Sequence, residues 1–183
     1  MSDRIPDKPF PRSYWVVPGR FLAGFYPGDR RPFLMKEKLT GLLVCGIRCV
    51  INLQEPDEVD RNGMFFMDYA PVLERLAGDG PSVVCHRMSI PDLGVPSPEF
   101  MKQILNLIDE TLEQGLPLYV HCWGGRGRTG TVVGCWLVRH GIAEGEDTLR
   151  KIGELRRSDP RRDWPSPEMP DQLEMVRAWK VGL

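Results

Sequence analysis

Apolar residues fall into two rhythms along this chain. One consists of short continuous runs: Phe21-Leu22-Ala23-Gly24-Phe25-Tyr26, Cys49-Val50-Ile51-Asn52-Leu53, Ser82-Val83-Val84-Cys85-His86-Arg87-Met88 and Pro117-Leu118-Tyr119-Val120-His121. These are rich in β-branched and aromatic residues, the signature of buried strands. The other rhythm is helical. The stretch from about Phe33 to Val44 is helix-like, with Gly46 placed to cap its end. Ser97 can cap a second helix, in which Pro98 suits the first turn and Glu99 the helix dipole. Its inner face is Phe100, Ile104, Leu107, Ile108, Thr111 and Leu112, and Gly115 ends it. A third helix is expected from about Arg128 to His140, with Val132, Val133, Trp136 and Leu137 apolar and Gly141 as the stop. Two more are expected from Glu146 to Arg156 and from Pro167 to Lys180. Ser166 would cap the last, with Leu173, Val176 and Trp179 facing inward. The first 19 residues hold Pro6, Pro9, Pro11 and Pro18, and read as an irregular arm on the surface.

Strands alternating with helices predict an α/β architecture: a single domain over residues 1–183 with a central, mostly parallel sheet flanked by helices. In such sheets ligands bind at the carboxyl ends of the strands. The strand–loop–helix from Leu118 to His140 puts residues 122–128 there.

Composition narrows the partners. A formal net charge of −1 gives no reason to expect nucleic acid as a ligand. The chain shows neither a secretory signal nor an apolar run long enough to span a bilayer. Five cysteines, an odd number, argue against a disulfide framework. With no CxxC pair, a structural zinc site is not expected. The expectation is a cytoplasmic protein without metal or cofactor; oligomeric state is open.

The chemistry concentrates in His121-Cys122-Trp123-Gly124-Gly125-Arg126-Gly127-Arg128-Thr129-Gly130. Five residues separate Cys122 from Arg128, and three of them are glycine. Glycines let successive backbone N–H groups turn into one concavity, a nest for anions. The loop opens onto a helix N-terminus, which adds positive potential. Arg128 supplies a planar fork that matches two phosphate oxygens. The same field favours a thiolate at Cys122, since a free thiol has a pKa of about 8.5 that such surroundings lower. Gly125-x-Gly127-x-x-Gly130 fits a dinucleotide fingerprint only by accident, because the acidic residue about 20 places later is missing. A nucleotide P-loop needs Gly-Lys, and here Arg128 follows Gly127.

The run from His121 to Gly130 resembles the His-Cys-x5-Arg-Ser/Thr signature of the protein tyrosine phosphatase superfamily. Ser89-Ile90-Pro91-Asp92-Leu93-Gly94-Val95-Pro96 looks like its general-acid loop. The short spacing from Asp92 to Cys122 is similar to the small dual-specificity and bacterial tyrosine phosphatase branch, and the likeness runs from about Tyr14 to Glu168. It implies a dual-specificity-phosphatase-like fold and hydrolysis through a phosphocysteine intermediate. Cys122 would be the nucleophile, and Asp92 would act as general acid and then base. Arg128 and the backbone of Trp123, Gly124, Gly125, Arg126 and Gly127 would hold the phosphoryl oxygens. Thr129 would support the departing thiolate, and His121 would orient the loop by hydrogen bonding. Gln172 is a candidate for positioning the hydrolytic water, although a surface helix glutamine reads the same way.

The substrates implied are phosphotyrosine or phosphoserine/threonine on a protein, or alternatively inositol phosphates and other small polyanionic phosphates. Arg126 is expected at the pocket rim as a second cation favouring such polyanions. Arg150, Lys151, Arg156, Arg157, Arg161 and Arg162 read mostly as a solvated helix face. A weakly active phosphate-binding regulator is the reading from another class. A rhodanese-type sulfur transferase is disfavoured by the Arg-Thr ending and the separate acid loop.

Overall fold

The structure, a computed structural model, describes residues 7–183. Residues 1–6 of the expected arm lie outside it. From Ser13 the chain is not irregular: β1 (Ser13–Val17) pairs antiparallel with β2 (Phe21–Phe25). The prolines flank this strand rather than interrupt it, and Tyr14 and Val16 alternate into the core. The remaining strands are β3 (Cys49–Asn52), β4 (Val84–Arg87) and β5 (Leu118–Cys122). The sheet order is β1-β2-β5-β3-β4, parallel throughout except at β1.

Alternation along the strands builds two cores. Phe21, Ala23, Ile51, Leu118, Val120 and Cys122 face α3 (Pro98–Glu113), α4 (Gly127–Arg139), α5 (Gly145–Leu155) and α6 (Pro170–Ala178). Leu22, Val50 and Tyr119 face the other way, toward α1 (Pro32–Val44) and α2 (Ala70–Ala77). Neighbouring residues of β5 therefore serve opposite faces, with Cys122 on the α4 side and His121 toward α2.

The expected helices stand within a few residues of their boundaries, and Ser97 does cap α3, its Oγ accepting from Phe100 N at 3.1 Å. α2 was not foreseen. α6 starts later than expected, at Pro170, with Met169 as its cap residue. Ser166 instead donates through Oγ to Arg126 O at 2.8 Å. β4 is a partly exposed edge rather than a buried strand. All five cysteines are free. Among the described residues no helix is long and apolar enough to cross a membrane.

Candidate active site

β2, β3 and β5 end level: Phe25 pairs with Cys122 and Asn52 with His121. The loop from Trp123 to Arg126 leaves this edge and turns into α4. Three of its carbonyls are tied to the scaffold: Trp123 O by Tyr26 N at 3.1 Å, Gly124 O by Arg12 Nη2 at 2.6 Å, and Arg126 O by Ser166 Oγ. In a trans peptide the following N–H points the opposite way. The amides of Gly124, Gly125 and Gly127 are thereby turned away from the scaffold. Gly125 adopts φ +70°, and a Cβ there would lie 2.6 Å from the backbone of Gly24 and Phe25. Only glycine lets the loop press this closely on β2.

Cys122 is buried at the loop's base, and Thr129 Oγ1 lies 3.1 Å from its Sγ. His121 is buried and stacked on Tyr119 at 5.6 Å. Its Nδ1 lies 3.2 Å from Cys122 O, which only accepts, so Nδ1 carries the proton. Its Nε2 then accepts from Tyr69 O–H at 2.6 Å. Burial lowers the pKa of His121 to about 3, so the ring is neutral at physiological pH.

Arg128 is the most engaged group of the site. Its Nη1 and Nη2 form a bidentate pair with Glu58 at 2.6 and 2.9 Å. Nη1 also donates to Ile90 O at 3.1 Å, and Nη2 lies 2.9 Å from Asp92 Oδ1. Burial disfavours this cation, but Glu58, Cys122 and Asp92 more than offset that, and its pKa rises above the ordinary arginine value. Glu58 is lowered in turn: burial opposes its charge, while the hydrogen bond and charge of Arg128 favour it. Glu58 was not singled out from the sequence, since it stands 70 residues from Arg128. The acidic turn Gln54-Glu55-Pro56-Asp57-Glu58 at the carboxyl end of β3 is the signal that could have found it.

Gln172 is no surface residue. It is 0% exposed, donates to Gly94 O at 2.9 Å and accepts from Glu168 N and Met169 N at 3.1 and 3.2 Å. It thus links α6 to the Asp92 loop. Trp123 packs its ring on Phe66 at 5.5 Å. Arg126 lines the cavity and is not a lone cation. It pairs with Glu168, stacks on Trp164 at 4.7 Å and has a side chain only 11% exposed. The basic run is not one helix face either, because Arg156 is buried and Arg161 belongs to a loop lining the site.

These residues surround a cavity of about 540 Å³ with Cys122, Asp92, Arg128 and Gln172 in its wall. A Cys–Arg loop at the end of a parallel sheet, faced by a carboxylate on a separate loop, is the arrangement of the dual-specificity phosphatase class. The chain belongs to the Tc-R-P family, described as the DSP-PTPase phosphatase of polymorphic toxin systems, whose model matches residues 28–142. It is 39% identical over 56 residues to the tyrosine-protein phosphatase cdc-14 of Caenorhabditis elegans, covering 30% of this chain and 8% of that protein. The chain spans less than half the length of the curated relatives it matches. Among solved structures, Tk-PTP in its active form is similar at TM-score 0.62 and 25% identity, covering 92% of this chain and 95% of that one. PTPMT1 in complex with PI(5)P is similar at TM-score 0.65 and 20% identity, covering 90% and 92%.

Proposed function

We propose that this protein hydrolyses phosphomonoesters in two steps through a phosphocysteine at Cys122. The thiolate attacks phosphorus, the S–P bond forms, and the P–O bond to the leaving group breaks while Asp92 gives its proton to that oxygen. Water then attacks phosphorus, Asp92 takes the water's proton, and the S–P bond breaks to return the thiolate. The convergence of Cys122, Arg128 and Asp92 on one cavity, with Thr129 behind the sulfur, carries this reading. Arg128 and the loop amides stabilise the phosphoryl oxygens in both steps. Thr129 Oγ1 supports the thiolate when it leaves. His121, neutral and hydrogen-bonded on both sides, fixes the loop rather than moving protons. Gln172 holds the Asp92 loop through Gly94, and its remaining N–H is available to orient the water.

Asp92 and the substrate use the same edge of Arg128. Glu58 and Ile90 O occupy three of the four terminal N–H groups, and the Asp92 carboxylate lies 2.9 Å from Nη2 as an ion pair. An arriving phosphate claims the Nη2 hydrogen on that side together with Nε and displaces Asp92, which takes up a proton from solvent as it leaves the cation and in that protonated form meets the leaving oxygen. Glu58 stays, holding the fork in plane. The substrate is a phosphorylated protein or a small phosphorylated metabolite. The assay is release of phosphate from p-nitrophenyl phosphate: turnover by the intact protein and none by Cys122→Ser is the expected result. Equal turnover by both would remove the reading.

A further inference from the structure

The cavity is lined by five arginines, and they are not equivalent. Arg126 and Arg128 have carboxylate partners, whereas Arg12, Arg61 and Arg161 form no ion pair among the described residues. In a chain of net charge −1 this is a local excess of positive charge beside the nucleophile.

Two of the three are held in place. Arg12 lies with its guanidinium 4.4 Å from the centre of the Phe25 ring and one Nη2 hydrogen on Gly124 O. Its Nε is buried with no hydrogen-bond partner, a donor whose desolvation is not compensated. Arg161 lies over Trp164 at 5.0 Å, on the indole that also carries Arg126. The loop bearing Arg161 is pinned from beneath by the buried Arg156. Its guanidinium donates to Trp164 O and Arg161 O, both at 3.1 Å, and reaches Asp159 at 3.4 Å. Asp159 accepts from Arg161 N at 2.8 Å, so this carboxylate is used in building the loop. Burial and then the positive charge of Arg161 lower the pKa of Arg12, with Asp159 opposing, which places the two cations within each other's field. Like charges held close without a bridging carboxylate form a place for an anion.

We propose that Arg12 and Arg161 form a second anion subsite beside the Cys122 loop, so that the substrate is a small phosphomonoester bearing a second phosphate. This rests on the phosphatase reading above. The first phosphate occupies the loop and Arg128; the second lies between Arg12 and Arg161, with the carbon skeleton across the cavity near Trp164. A cavity of about 540 Å³ is of the size that encloses a small molecule.

The test compares phenyl phosphate with resorcinol bisphosphate, two aryl esters differing in the second phosphate. The wild-type kcat/KM should favour the bisphosphate by about tenfold after correction for its two equivalent esters, as expected for a partly exposed charge contact. That advantage should shrink as salt is added. In Arg161→Gln the ratio should fall about fivefold or more, and in Arg161→Glu it should drop below one. Arg161 is exposed, so neither change threatens folding. Equal wild-type turnover of the two esters, or a ratio unmoved in both variants, overturns the subsite alone. Failure to turn over either ester overturns the phosphatase reading and the subsite with it. A tyrosine-phosphorylated peptide that outpaces the bisphosphate overturns the assignment of a small substrate.

Discussion

The Cys122 loop and the Asp92 loop face each other across one cavity, yet they are built in opposite ways. The loop from Cys122 to Arg128 is clamped by β2, by Arg12 and by Ser166, and the Arg128 side chain is 2% exposed. The Asp92 loop is tied at its ends, by Ile90 N to Leu53 O at 3.0 Å, Arg128 Nη1 to Ile90 O at 3.1 Å and Gln172 to Gly94 O at 2.9 Å, while Asp92 N has a single long bond to Glu55 at 3.4 Å. Its Asp92 side chain is 45% exposed, and Leu93 adopts φ +59°. An anion nest must be preorganised, because amides that reorient during reaction stabilise little. An acid that first contacts Arg128 and then a leaving group has to change partners. Fixed dipoles on one side and a loosely held carboxylate on the other follow from those two demands.

The contrast can be broken by substitution. Cys122→Ser should lower turnover by about 10⁴-fold or more, while tungstate binding followed by thermal shift persists. Loss of tungstate binding by the folded variant would show that the nest depends on the thiolate. Asp92→Asn should lower kcat by about 10²–10⁴-fold for phenyl phosphate and less for p-nitrophenyl phosphate, whose leaving group needs the proton less. The same variant should bind tungstate more tightly, since the carboxylate no longer competes for Arg128. Weaker binding would refute the partner exchange.

Smaller effects sharpen the picture. Gly125→Ala should cost about 2–3 kcal/mol in denaturant unfolding, because the added methyl meets the backbone of β2. A cost under about 0.5 kcal/mol would mean the loop has slack. Acidification probes His121. Its folded pKa, about 3, lies below the ordinary 6.5, so between these values the unfolded chain binds the extra proton. The stability linked to this group is therefore present above about pH 6.5 and lost as pH falls toward 3, at up to about 1.4 kcal/mol per pH unit. Unfolding free energies at pH 7, 6 and 5 should show this slope, and His121→Asn should reduce it. An unchanged slope would assign the acid sensitivity to other groups.

What was legible in the sequence was what is local. The runs at Cys49–Asn52 and Leu118–Cys122 are strands because consecutive apolar residues serve both faces of a covered parallel sheet. The helix after Ser97 declared its cap, its Pro and its stripe. β1 was hidden by flanking prolines, and α2 by its 8-residue length and the absence of a side-chain cap at Tyr69. The site divides in the same way. Cys122, Arg128 and Thr129 share one loop and its helix, and Asp92 sits in a recognisable turn. Glu58 reaches Arg128 through tertiary structure alone, as do Tyr69 at His121 and Arg12 at Gly124, and no periodicity announces such meetings. The pairing of Arg126 with Glu168, 42 residues away, is of the same kind.

α4 is buried along nearly its whole length, packed on β2, β5, α3, α5 and α6. A Cβ at Gly134 would meet Val176 at 2.6 Å, so α6 lies close against the backbone of the helix that begins at the nucleophile loop. The stretch 28–142 that carries the family likeness ends before α5 and α6, and would leave this flank of α4 open to water. The loop that precedes α4 is therefore only as durable as its C-terminal covering. Opening of α5 and α6 as a unit would loosen the N-terminus of α4 and scatter the amides that face the phosphate. Substitutions where α5 and α6 meet α4, as at Ile152 or Val176, are thereby expected to weaken the site without touching it.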